Sequence, residues 1–216
     1  MLTIILIAGA LALAGQAKAN SERAPANWSD GPAGASQTGR SASVEGLLVD
    51  ITRVLVDFSE SGETNRWNTV NDGVMGGLSQ SRLSSATDTT AVFEGVLSLE
   101  NNGGFASVRR APTDYFISGA TAIEVEVKGD GRRYQFRVRT NDGFDGVAYR
   151  AFFDTAPDEW RRVEIPLSQF RATYRGRSVP DAPQLDPAKI RQLGFLLGDK
   201  RPGPFRLEVR TVRARE

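Results

Sequence analysis

Hydrophobic and polar positions alternate with a period of two through much of the chain after residue 46. The clearest run is Thr121–Thr140. Ile123, Val125 and Val127 alternate there with Glu124, Glu126 and Lys128, and Tyr134, Phe136 and Val138 alternate with Arg133, Gln135, Arg137 and Arg139. This alternation turns one face of each segment to a core and the other to solvent. Asp130-Gly131 between them reads as a type I′ turn, which predicts a hairpin pairing Val127 with Tyr134, Val125 with Phe136 and Ile123 with Val138. In that register Glu124 falls opposite Arg137 and Glu126 lies diagonal to it. The stripe Arg133, Arg137 and Arg139 then reads as cross-strand charge pairing, not as a nucleic-acid footprint. A second hairpin is predicted around Asn102-Gly103, pairing Leu99 with Ala106 and Leu97 with Val108.

Further strands are predicted at 47–58, 147–153, 160–165, 193–198 and 204–213. Helix is confined to one short segment in "LDPAKIRQL", with Asp186 as N-cap and Pro187 at the first position, and to a single turn in "PLSQF". Many short strands with little helix predict an all-β fold, a β-sandwich or jelly roll, over residues 46–216.

The N-terminal pattern is different. An apolar run from Leu2 to Leu13 is followed by Ala17-Lys18-Ala19, which predicts a signal peptide over 1–19, cut after Ala19. An uncleaved N-terminal anchor is the alternative, but the run is shorter than the roughly 20 residues a spanning helix needs. No stable membrane span is expected after cleavage, and the mature protein is expected outside the cytoplasm, in the periplasm. Residues 20–45 are rich in Ser, Ala, Gly and Pro and read as a flexible linker.

Composition narrows the chemistry. The 27 basic and 26 acidic residues nearly cancel, so no global field favours nucleic acid or an anionic membrane. There is no cysteine and no histidine. Thiol nucleophiles, thiolate metal sites and Ser-His-Asp chemistry are therefore excluded. No phosphate-cradling motif is present: "GVMGG" and "NNGG" match neither the dinucleotide nor the P-loop pattern. No cofactor and no metal are expected. Asn141, Asp142 and Asp145 cluster oxygens as a calcium loop would, but their spacing is not that of an EF-hand, and a plain turn is the simpler reading. A carboxylate-dependent hydrolase would need two convergent acids in one pocket. Tyr149, Trp160 and Tyr174 could stack on a sugar, though such residues are more often core or rim aromatics.

"WNTVNDGVMGGLSQS" (67–81) is the most unusual stretch. Asn71-Asp72-Gly73 is a turn signal, and Gly76-Gly77 permits positive φ or close approach of the backbone. It reads either as a structural loop entering a strand or as a binding edge with Asp72 as acceptor, Met75 as apolar contact and Ser79 as hydroxyl.

Together with "FEGVLSLENNGGFASVRR", "YRAFFDT", "WRRVEIPLSQF", "YRGR" and "IRQLGFLLGDKRPGPFRLEV", this stretch resembles the complex I intermediate-associated protein 30 family from about Leu48 to Arg213. The resemblance implies a galactose-binding-like jelly roll and a non-catalytic protein-binding role. Its mitochondrial members assist assembly of respiratory complex I, so complex I subunits or intermediates are the implied partners. An exported carbohydrate- or envelope-binding module is the alternative. Carried onto this chain, the resemblance marks Asp72, Met75, Gly76, Gly77, Ser79, Asn102, Gly103, Gly104, Ser107, Arg109 and Arg175 as partner or ligand candidates. It marks Trp67, Phe105, Trp160 and Phe205 as core anchors. The two glycine-rich loops are expected to lie side by side and form one partner surface.

Overall fold

The computed structural model of the protein describes residues 51–216. The expected signal peptide and linker lie outside the described residues. Two antiparallel sheets pack face to face. The six-stranded sheet contains β1 (Thr52–Asp57), β3 (Gln80–Thr87), β4 (Thr90–Leu97), β6 (Ala122–Lys128), β9 (Trp160–Pro166) and β13 (Gly203–Arg215). Its order is β3-β4-β13-β6-β9, with β1 also paired to β13. The seven-stranded sheet contains β2 (Trp67–Thr69), β5 (Ala106–Arg110), β7 (Arg133–Arg139), β8 (Ala148–Asp154), β10 (Arg171–Tyr174), β11 (Arg177–Ser178) and β12 (Gln192–Leu197). Its order is β11-β10-β8-β7-β12-β5-β2. Helix among the described residues is limited to single 3-10 turns. One is Pro187–Lys189, where the Asp186 side chain caps Ala188 N at 3.0 Å as the sequence predicts.

The inward positions of the two sheets meet in one core. Phe93, Phe205, Leu207, Ile123, Val125 and Val127 come from one side, and Tyr134, Phe136, Val138, Phe153, Phe195 and Val108 from the other. Phe195 sits at an aromatic junction: Trp67 stacks on it at 5.8 Å and Phe136 meets it edge-on at 5.3 Å. Each such side chain contributes on the order of 1.5–3 kcal/mol by leaving water.

Every predicted strand region holds a strand and the alternating faces are buried as expected, while the short strands β2, β10 and β11 are not among those predicted and both predicted hairpins are corrected. β6 pairs with β9 and β13, whereas β7 pairs with β8 and β12. The Asp130-Gly131 segment therefore carries the chain from one sheet to the other, and Val125 and Phe136 belong to opposite layers of the core. Local chemistry fixes this crossing. Asp130 accepts from Arg132 N at 3.1 Å, from Tyr134 Oη and from Arg206 N at 2.9 Å. The buried Arg132 guanidinium grips Asp199 at 2.6 and 3.0 Å and the Pro204 carbonyl at 3.1 Å. The Asn102-Gly103 segment likewise links β4 in one sheet to β5 in the other.

The charge pairing moves with the register. Glu124 meets Arg213 at 3.2 Å, and Glu126 meets Arg210 at 3.3 Å and Arg162 at 3.7 Å, all on the six-stranded sheet. Arg82, Glu94, Arg206, Glu208 and Lys128 continue this alternating lattice over the same outer face. Arg137, expected to pair with those glutamates, has no ion pair among the described residues, and neither has Arg139. Trp160 also departs from its expected place. It lies half-buried on the outer face, with the Arg210 guanidinium 3.9 Å and Lys128 Nζ 5.7 Å from its ring. Phe105 too is only half-buried, while Trp67 and Phe205 are core residues as expected.

Candidate functional site

Asp72 organises the two glycine-rich loops. After β2 the chain stays on β5 for two more residues: Val70 N donates to Ser107 O at 2.9 Å, and Asn71 Oδ1 accepts from Ser107 N at 3.1 Å. Ser107 Oγ in turn donates to the Val70 carbonyl. Asp72–Met75 then makes a 3-10 turn, closed by Gly76 at φ 87°, a conformation for which glycine is suited. The Asp72 carboxylate points inward and is only 1% exposed. Its Oδ1 accepts from Ser79 N at 2.9 Å. Its Oδ2 accepts from Ser79 Oγ at 2.6 Å, Gly104 N at 2.7 Å and Phe105 N at 3.2 Å. Ser79 leads into β3 and Phe105 into β5, so one carboxylate ties the margins of both sheets.

Two glycines make room for it. A Cβ on Gly77 would fall 2.4 Å from Asp72 Cγ, and one on Gly103 would fall 2.7 Å from Oδ2. Burial pushes the Asp72 carboxyl up, but the hydrogen bonds from Ser79, Gly104 and Phe105 outweigh it and hold it below the ordinary carboxylate range. A carboxylate this buried, accepting four hydrogen bonds from its own loops, is turned away from solvent. It sets the shape of the loops rather than offering itself as an acceptor.

The candidate residues fall into two groups. Asp72, Gly76, Gly77, Ser79, Asn102, Gly103, Gly104 and Ser107 lie in or beside this clamp. Met75 is the last residue of its 3-10 turn. Around the clamp, Leu78, Leu99, Asn101 and Asn102 are exposed. Leu78 and Leu99 flank Ser79 and Ser98, which bond at 3.0 Å, and so bring apolar side chains from both loops to one end of the sandwich.

Arg109 and Arg175 belong elsewhere. Both reach the 141–146 loop: Arg109 donates to the Phe144 carbonyl at 2.7 Å, and Arg175 pairs with Asp145 at 2.7 Å. That loop is a tied turn. Gln192 Nε2 donates to the Asn141 and Gly143 carbonyls, and Arg191 holds Asp142 at 2.7 Å. No group of three or more acidic side chains among the described residues is placed to hold a metal ion. Tyr149, Trp160 and Tyr174 do not share a surface. Tyr149 is buried, with its hydroxyl on the Pro183 carbonyl, Tyr174 is exposed on the seven-stranded sheet, and Trp160 is on the other sheet.

The sequence reading missed a buried ion pair at the start of β2 and the end of β5. Arg110 grips Glu63 in a fork at 2.6 and 3.0 Å, and Trp67 Nε1 donates to the same carboxylate at 3.0 Å. The pair fastens the entry to β2 against β5. Forty-seven residues separate its members, and no local pattern marks either one.

Fold and clamp together define a non-helical, galactose-binding-like β-sandwich, the architecture of carbohydrate-binding modules. A family 11 carbohydrate-binding module from a cellulosomal cellulase of Clostridium thermocellum superposes with a TM-score of 0.57 at 18% identity, covering 76% of this chain and 93% of that one. At that identity the likeness is one of fold. The sequence places the chain more narrowly: it belongs to the complex I intermediate-associated protein 30 (CIA30) family, whose profile matches residues 56–209. Mouse mitochondrial complex I intermediate-associated protein 30 is 30% identical over 172 residues, 70% of this chain and 52% of the mouse protein. The Drosophila melanogaster protein of the same name is 23% identical over 67% of this chain and 56% of its own length. An uncharacterized protein of Schizosaccharomyces pombe is 30% identical over 67% of this chain and 75% of its length. The chain thus corresponds to about half of the named animal relatives.

Proposed function

We propose that this chain is a non-catalytic protein-binding domain that assists assembly of a membrane respiratory complex, with subunits or intermediates of complex I as partners. Family membership over 56–209 carries the reading. The clamp supports it, since the exposed Leu78 and Leu99 are the chain neighbours of Ser79 and Ser98, which are hydrogen-bonded to each other. Exposed apolar side chains on a rigid support suit protein contact. The scattered positions of Tyr149, Trp160 and Tyr174 give the alternative, an envelope glycan module, no common stacking platform. The proposed location is outside the cytoplasm, after removal of residues 1–19.

The test is affinity capture from solubilised membranes with the tagged chain and with Leu78→Glu/Leu99→Glu. The expected result is recovery of respiratory-complex subunits by the wild type and their loss with the variant at unchanged melting temperature. Failure of the wild type to recover any such subunit, with normal complex levels in a deletion strain, overturns the proposal.

A further inference from the structure

The outer faces of the two sheets treat arginine differently. On the six-stranded sheet, Arg82, Arg162, Arg206, Arg210 and Arg213 are each matched to a glutamate. On the seven-stranded sheet, the register aligns Arg109, Gly194, Arg137, Arg150 and Arg171 in a single row across five adjacent strands. Their chain neighbours Val108, Phe136, Val138, Tyr149 and Ala151 point into the core, so the row faces out. None of these four arginines has an ion pair among the described residues. The nearby carboxylate of Asp145 is held by Arg175.

This arrangement is unfavourable by itself. Burial, then the charges of Arg139, Arg109 and Arg150, push the Arg137 guanidinium down to about 10. Burial and Arg139 do the same to Arg109, to about 10, against the opposing pull of Asp145. Arg133 and Arg175, elsewhere on the seven-stranded sheet, do find carboxylates in Asp154 and Asp145, so the crowded row breaks the fold's rule at one place. Such departures are expected where a surface meets a ligand.

We propose that this row binds an acidic segment of a partner protein, whose Asp and Glu carboxylates bridge Arg109, Arg137 and Arg150. Strands lie about 4.8 Å apart, so the row from Arg109 to Arg171 spans roughly 19 Å. A small anion meets two of these guanidiniums at most. An extended chain carries same-side carboxylates about 6.7 Å apart and can engage several. Guanidinium forks match carboxylates bidentately. The exposed aromatics of this face also favour a peptide over a sugar. Arg133 and Arg150 lie 4.8 and 5.3 Å from the Phe152 ring, Arg109 lies 5.2 Å from Phe144, and Arg175 lies 5.2 Å from Tyr174. Each ring already carries a cation where a sugar would need to stack. Gly194, mid-row, has no side chain to lift a ligand away from Arg109 and Arg137.

The inference rests on the reading of the chain as a protein-binding domain, and the experiment separates the two. A fluorescein-labelled oligoglutamate is titrated into the purified chain and followed by anisotropy, with oligogalacturonate and inorganic phosphate as competitors. Arg137→Gln/Arg150→Gln is compared with Arg82→Gln/Arg161→Gln, which removes the same charge from the other sheet. Oligoglutamate should bind the wild type, and the first variant should weaken it by at least about tenfold, as loss of buried charged contacts does. The second should change it by no more than about twofold. The melting temperature of the first variant should not fall, because it relieves repulsion. Equal weakening by both variants, or no binding of oligoglutamate, overturns the proposal. Tighter binding of oligogalacturonate than of oligoglutamate overturns it in favour of an acidic glycan, and displacement by phosphate alone overturns it in favour of a small-anion site. Membrane capture that Arg137→Gln/Arg150→Gln leaves intact would overturn the arginine row and leave the assembly role standing. Loss of that role with oligoglutamate binding intact would do the reverse.

Discussion

Gly104 N lies 2.7 Å from the Asp72 carboxylate, although 32 residues of chain separate them. This contact joins two loops that the sequence shows only as separate glycine-rich stretches, and it makes Asp72 a residue of folding. Asp72→Ala leaves the Ser79, Gly104 and Phe105 amides without their acceptor. The expected loss is about 3 kcal/mol, from several buried donors left unpaired at once. For a domain of this size that lowers the melting temperature by roughly 10 °C. Thermal unfolding of the variant measures it.

The same carboxylate sets a pH dependence. Its folded value lies below the ordinary 3.8, so the unfolded chain takes up the proton first. The stabilisation is complete above about pH 4 and is lost as pH falls through the folded value. Asp72→Asn cannot titrate there. The gap in urea midpoint between wild type and Asp72→Asn should be widest near neutrality and should narrow in strong acid.

The glycines around the clamp should respond unequally. Gly77→Ala and Gly103→Ala drive a methyl into the Asp72 carboxylate and should cost about 1–3 kcal/mol each, as overpacking does. Gly73→Ala meets nothing within 4 Å and should stay within about 0.5 kcal/mol of wild type. Chemical denaturation of the three variants separates a steric requirement from glycine content as such.

Glu63→Gln tests the ion pair at the start of β2. Glu63 and Arg110 are 2% and 4% exposed, and the hydrogen bond that Arg110 donates to Glu63 is the main cause that raises the Arg110 guanidinium above its ordinary value. Neutralising one partner strands the other charge in the interior, at a cost of about 3–5 kcal/mol. The expected readout is a lower unfolding midpoint with a blue-shifted or quenched Trp67 signal, since Trp67 shares the carboxylate.

Export is tested at the N-terminus. Intact-mass measurement of protein recovered from the periplasmic fraction should give a chain beginning at Asn20. A full-length chain facing the cytoplasm would remove the basis for an envelope location.

How far the sequence reached can be read from Val125 and Phe136. Alternation identified both as buried, and both are. It also suggested that they were neighbours in one sheet, and they are not. Period-two patterning reports which face is covered; it does not report whether the cover is an adjacent strand or the opposite layer. That choice is made by Arg132 and Asp199, 67 residues apart, and by Asp130 with Arg206, 76 apart. The wrong register also supplied Arg137 with a false glutamate partner and so hid the charged row. In the loops, the glycines mark a close approach whose cause the sequence does not show. Gly77 and Gly103 are required by what sits against them, a carboxylate from another turn, and no local pattern contains that information.

The long strand β13 has a consequence in time. Residues 203–209 hydrogen-bond to β4, residues 211–215 to β1, and residues 208–215 to β6. The first strand of the described chain thus has its sheet partner only in the last. During synthesis, more than 140 residues must emerge before that partner exists, and until then β1, β4 and β6 have no common seam. A chain built this way cannot close its six-stranded sheet from the N-terminal side; closure waits on β13, whichever strands have formed before it.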